Sequence, residues 1–156
     1  MHRQLLCLSA TLSLLGFAGA NEAEKKTKHV HQHMHHALWE LRHAEKELKE
    51  SKVNFGDHRA KAEAAIADAI KQIDIALTKA GDAPSGTPTK RDLKEEYKKY
   101  ASHPHLHHAL HELKHAHTQL KEAKHDFGGH REAAMRSVDH AIHQVTILLE
   151  HINKAG

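Results

Sequence analysis

The stretch 106–127, LHHALHELKHAHTQLKEAKHDF, decides the fold. Leu106, Ala109, Leu113, Ala116, Leu120, Ala123 and Phe127 recur at alternating steps of three and four, which is the signature of an amphipathic helix with one apolar seam. Gly128 follows, and glycine supplies the left-handed stop that a helix C-terminus favours. A second helical pattern then carries Val138, Ala141, Ile142, Val145, Leu148, Leu149 and Ile152. Two helices around a glycine make an αα-hairpin.

That hairpin is written twice. A shift of 72 residues lines 33–80 up with 105–152, and 23 of the 48 positions are identical. Met34-His35-His36-Ala37-Leu38 answers Leu106-His107-His108-Ala109-Leu110, and Phe55-Gly56-Asp57-His58-Arg59 answers Phe127-Gly128-Gly129-His130-Arg131. A repeat this strong outranks any local motif. The first copy runs as a helix from Met34 to Phe55, then a second through Ile66, Ala69, Ile70, Ile73 and Leu77. One hairpin buries too little surface to stand alone. The expectation is an all-α protein, a four-helix bundle built from two repeated αα-hairpins, either within one monomer or as a hairpin-exchanged dimer.

Around this unit, residues 1–20 read as a secretory signal peptide. Met1-His2-Arg3-Gln4 is a short basic start, Leu5 to Phe17 is apolar, and Ala18-Gly19-Ala20 fits the small-x-small cleavage rule. The apolar run falls short of the roughly 20 residues that a spanning helix needs, so no stable membrane anchor is expected after cleavage, and the destination is periplasmic or secreted. The remaining divisions are a first His-rich hairpin over 21–80, a linker over 81–101 and a second hairpin over 102–156. Gly81 to Pro88 is a linker by composition. Thr89 can cap a short helix after it, with Asp92 three residues on and Leu93, Tyr97 and Tyr100 on its buried side. Pro104 is tolerated at the start of the third main helix.

Composition narrows the function. The chain has 156 residues, 23 basic and 20 acidic side chains, and 20 histidines. Near-balance of charge argues against a nucleic-acid partner, which asks for Lys and Arg concentrated on one face. The only cysteine, Cys7, lies in the leader, so the mature chain has no thiol for redox chemistry, Cys-based zinc binding or haem attachment. Nineteen histidines remain after cleavage, too many for ordinary polar surface. With Leu106, Leu113, Leu120 and Phe127 as the seam, His107, His108, His111, His115 and His125 fall on the outermost positions, and only His117 flanks the core. His107, His111 and His115 step by four, which aligns imidazoles about 5–6 Å apart at Cβ. Pairs at that spacing chelate divalent metals. The first copy offers His29, His31, His33, His35, His36 and His43, with Trp39 where His111 stands; His103, His140 and His143 complete the candidate ligands. Neutral imidazole suits Cu(II), Ni(II) and Zn(II), with affinity peaking at Cu(II). The competing reading is a pH-responsive interaction protein: imidazole titrates near pH 6.5, and protonating the 19 histidines would take the mature charge from +2 to +21.

An enzyme is not expected. Glu40-Leu41-Arg42-His43 and Glu112-Leu113-Lys114-His115 match the Glu-x-x-His element of carboxylate-bridged di-iron bundles. Those sites also need inward carboxylates from the other helices, where this chain has Ile66, Ala69 and Ile73, and Val138, Ala141 and Val145. In the Phe-Gly-x-His-Arg segments, the expectation is that Phe55 and Phe127 cap the hairpin cores, Gly56 and Gly128 reverse the chain, His58 and His130 help start the next helix, and Arg59 and Arg131 pair with acidic neighbours.

The two His-His-Ala-Leu segments, 35–38 and 107–110, on a leader-bearing chain without mature cysteine resemble the bacterial periplasmic small metal-binding protein family. The chain is also similar to uncharacterised bacterial envelope proteins bearing the patterns at 107–113 and 126–131. The resemblance spans roughly residues 29–154. It implies a monomeric four-helix bundle that binds several Cu(II), Ni(II) or Zn(II) ions for buffering, sequestration or scavenging.

Overall fold

Four segments free of glycine, and of proline beyond a first turn, form the four helices of the computed structural model, which describes residues 31–88 and 102–155. They are α1 (Gln32–Glu50), α2 (His58–Lys79), α3 (Pro104–Glu122) and α4 (His130–Ala155). There is no strand among the described residues, and the arrangement is an all-α four-helix bundle. No helix among them is long and apolar enough to cross a membrane. The leader expected at 1–20, His29, and the short helix expected around Thr89, Asp92, Leu93, Tyr97 and Tyr100, lie outside the described residues.

The core is the seam foreseen from the spacing. Leu38, Leu41 and Leu48 of α1, Ile66, Ile73 and Leu77 of α2, Leu106, Leu113 and Leu120 of α3, and Val138, Val145 and Leu148 of α4 are fully buried, with alanines between them. Alternating large and small side chains let helices interlock at close approach. The principal neighbour of each helix is its own repeat equivalent, α1 against α3 and α2 against α4. The two halves are thus related by a pseudo-two-fold. His58 Nδ1 sits 2.8 Å from Gln144 Oε1, and its mate, His130 Nδ1, sits 2.7 Å from Gln72 Oε1. These pairs tie the start of each second helix to the other hairpin.

The ends of α1 and α3 depart from expectation. The apolar period runs on to Phe55 and Phe127, but the helices stop at Glu50 and Glu122, and Ser51 and Ala123 are extended. The reason is an arginine from the following helix. Arg59 Nη1 donates to Ser51 O at 2.9 Å, and Arg131 Nη1 to Leu120 O and Ala123 O at 3.3 and 3.4 Å. These carbonyls would otherwise need the next turn as partners. Gly128 is therefore not a helix cap but part of a turn in which Phe127, Gly128 and Gly129 all take positive φ. The acidic partners expected for the arginines are present, Glu63 for Arg59 and Asp126 for Arg131. Phe127 packs on the core as expected. Phe55 does not: it is 43% exposed and stacks on His151 at 5.8 Å.

After α2, Gly81 N–H bonds Thr78 O and Asp82 N–H bonds Leu77 O, the Schellman closure that a left-handed Gly81 permits. Residues 82–88 then fold back along α1 as a strap. Thr87 N–H donates to His35 O, Arg42 Nη1 donates to Ser85 O, and Gly86 passes so close that a Cβ there would sit 3.6 Å from the backbone nitrogen of Trp39. The strap buries His35 completely, with its Nε2 3.1 Å from Asp82 Oδ2. Asp82→Ala should cost about 1–3 kcal/mol, the penalty for removing a partner of a buried polar group. A urea midpoint unchanged from wild type would show that the strap does not depend on this contact.

Candidate functional site

One step around from the apolar seam, α1 carries His36, Glu40, His43 and Glu47, and α3 carries the equivalents His108, Glu112, His115 and Gln119. Because α1 and α3 pack on each other, these two rows meet. The sequence spacing puts His108, His111 and His115 on the outermost positions; the structure corrects this. All three are half-buried, and His108, with a side chain only 15% exposed, faces Glu47 of α1. The spacing fixes the angle around one helix but not which arc its neighbour covers.

The register is antiparallel and set at both ends. At the start of α1, His33 Nδ1 lies 2.9 Å from Gln119 Oε1 and 3.4 Å from Glu122 Oε2, and His36 Nδ1 lies 3.3 Å from the same Gln119 oxygen. At the other end, His105 Nδ1 lies 2.8 Å from Glu47 Oε2 and 3.6 Å from Glu50 Oε2, and His108 Nδ1 lies 3.5 Å from Glu47 Oε2. These are pseudo-two-fold mates, with glutamate at 47 and glutamine at 119. Between these ends, Glu40 of α1 and Glu112 of α3 are both 0% exposed. The di-iron comparison is thus half met: the glutamates of both Glu-x-x-His elements are inward, while Ile66, Ala69, Ile73, Val138, Ala141 and Val145 of the other helices are buried and apolar.

Near the middle of α3, His111 and His115 turn their Nε2 atoms towards each other at 3.2 Å, with ring centroids 4.3 Å apart. In the first copy the same two positions hold Trp39 and His43, stacked at 3.9 Å. One half of the repeat presents two converging nitrogens, and the other covers its single imidazole with an indole face.

Burial favours the neutral, ligating form at two of the imidazoles. Burial pushes the His36 imidazole below its ordinary value against the opposing pull of the Gln119 hydrogen bond, and the His33 charge adds to the lowering. Burial likewise lowers His107, helped by the His103 and His108 charges. A neutral ring keeps a lone pair for metal.

The remaining candidates are placed apart from these rows. His31, at the start of α1, packs edge-on to Phe127 at 4.9 Å. His35 is under the strap, not on the outside. His103 is exposed and left-handed at the start of α3, and His140 and His143 are exposed on α4. His105, Glu47 and Glu50 escaped the reading of the sequence, yet their ligand atoms all lie within 4.8 Å of one another, a grouping with the geometry to hold a cation. The repeat overlay carried the signal, since His105 aligns with His33 and Glu50 with Glu122. Comparison with family models, curated proteins and solved structures finds no match to the chain.

Proposed function

We propose that this chain binds divalent transition metals, Cu(II), Ni(II) or Zn(II), reversibly through its histidines, as a buffering, sequestering or scavenging protein rather than an enzyme. The observation that carries the reading is the His111–His115 pair. Metal–imidazole bonds of about 2.0–2.1 Å at ordinary cis angles put two ligand nitrogens roughly 3.0–3.4 Å apart. The 3.2 Å between the two Nε2 atoms already has that bite. A helix face holds it without loop closure, so little ordering remains to oppose binding. Export by the 1–20 leader, as a monomer, belongs to the same proposal, and so does the likeness to the periplasmic small metal-binding family.

Equilibrium dialysis of the purified chain against each metal, at pH 7.5 and pH 5, tests it. Ligands must be deprotonated, so metal held at pH 7.5 should be released at pH 5. Cu(II) should be held most tightly. No uptake at pH 7.5, together with acid-driven assembly, would replace the proposal with the pH-responsive reading.

A further inference from the structure

The cluster at the start of α3 has a different chemistry. Glu47 and Glu50 stand one turn apart at the end of α1, and His105 and His108 stand one turn apart at the start of α3. Glu47 Oε2 is the shared point, 2.8 Å from His105 Nδ1 and 3.5 Å from His108 Nδ1, while Glu50 Oε2 lies 3.6 Å from His105 Nδ1. These separations bracket the roughly 3.0–3.4 Å expected between cis ligands of one small divalent ion. Two helices supply the atoms; Glu47, only 19% exposed, is held by packing, and the more exposed His105 and Glu50 reach the same point from either side.

We infer that Glu47, Glu50 and His105, with His108 beside them, form a mixed carboxylate–imidazole cation site that accepts a hard divalent ion such as Mn(II), separate from the His111–His115 pair. The distinction follows from ligand type. Carboxylate oxygens suit Mn(II), whereas all-nitrogen pairs bind it least well among the first-row divalent ions. This inference goes beyond the imidazole-based proposal and stands without it.

The pseudo-two-fold provides an internal control. His33, His36 and Glu122 reproduce His105, His108 and Glu50 at the opposite end, but Gln119 takes the place of Glu47. A neutral amide lacks the charge that attracts and holds the ion. The fold therefore contains the site once complete and once without its central carboxylate. It also shows that glutamine is accommodated at this position, so Glu47→Gln should leave the bundle intact.

Mn(II) titrated into the full chain at pH 7.5, with free ion counted by electron paramagnetic resonance, reads the site directly. Wild type should take up about one equivalent. Glu47→Gln should weaken that uptake more than about tenfold, given that even outer-shell changes cost 10–100-fold. Glu50→Gln, at a more exposed position, should weaken it as well and serves if the first variant fails to fold by circular dichroism. Gln119→Glu should add a second equivalent. The His111→Ala/His115→Ala variant should retain Mn(II) uptake even if it loses Cu(II). No Mn(II) uptake by wild type, equal uptake by Glu47→Gln and Glu50→Gln, loss of uptake in the double-alanine variant, or no gain in Gln119→Glu would each overturn the assignment and leave His–Glu ion pairing as the role of these residues.

Discussion

Alanine at both His111 and His115 should strip the chain of its tightest Cu(II) equivalent and leave its helix signal unchanged. The size of the loss follows from chelation. Once one imidazole holds the ion, the Nε2 of the other already sits 3.2 Å from the first Nε2 on the same helix, so the second bond forms as an intramolecular step. Linked binding of this kind exceeds single-point binding by about 100-fold or more. Each single variant should therefore come close to the double, because either one leaves a monodentate site. Helix content should persist, since alanine is a better helix former than histidine. The control is His140→Ala/His143→Ala: those rings stand exposed on α4, and losing them should change capacity at high Cu(II) but not the first equivalent. Competition titration with a chromogenic copper chelator measures both. An unchanged first equivalent in the His111/His115 variant would remove these residues from the function.

The largest effect on folding should come from Leu113→Ala, a loss of about 2–5 kcal/mol. Leu113 is fully buried in the middle of α3. It follows Glu112 in sequence, so its packing helps place the α3 row as well as the core. Domains of this kind have only about 5–15 kcal/mol of total stability, so the variant should unfold at a much lower urea concentration. Leu110→Ala, at a partly buried position, should cost less. A Leu113 midpoint shift no greater than that of Leu110 would mean that the bundle relaxes to fill the space.

The architecture was legible because it rests on periodicity. Leu106, Leu113 and Leu120 lie on the seam that spacing assigns, and the repeat transferred that seam to Met34, Leu41 and Leu48. Helix ends were less legible, because Arg59 and Arg131 stop α1 and α3 through side chains that act across a turn. The site was readable only in part. His111 and His115 were found by their spacing, but their half-buried setting depends on which helix lies alongside, and local sequence does not encode a neighbour. His35 was misplaced because a strap some fifty positions later covers it. The Glu47 cluster was missed for a related reason: its carboxylates and imidazoles sit on different helices, and only the antiparallel register joins them.

Pairing each helix with its own equivalent has a further consequence. The face that one hairpin hides against the other is nearly the same face presented twice, which is the definition of an isologous contact. An unduplicated hairpin of this sequence would meet a second copy of itself through that face, and symmetry would then force every substitution to occur on both sides at once. Joining the copies into one chain lifts that constraint. Trp39 can differ from His111, and Glu47 from Gln119, without either change being imposed on its mate. A symmetric dimer could only carry identical sites in pairs. The fused chain is free to make its two halves chemically unequal.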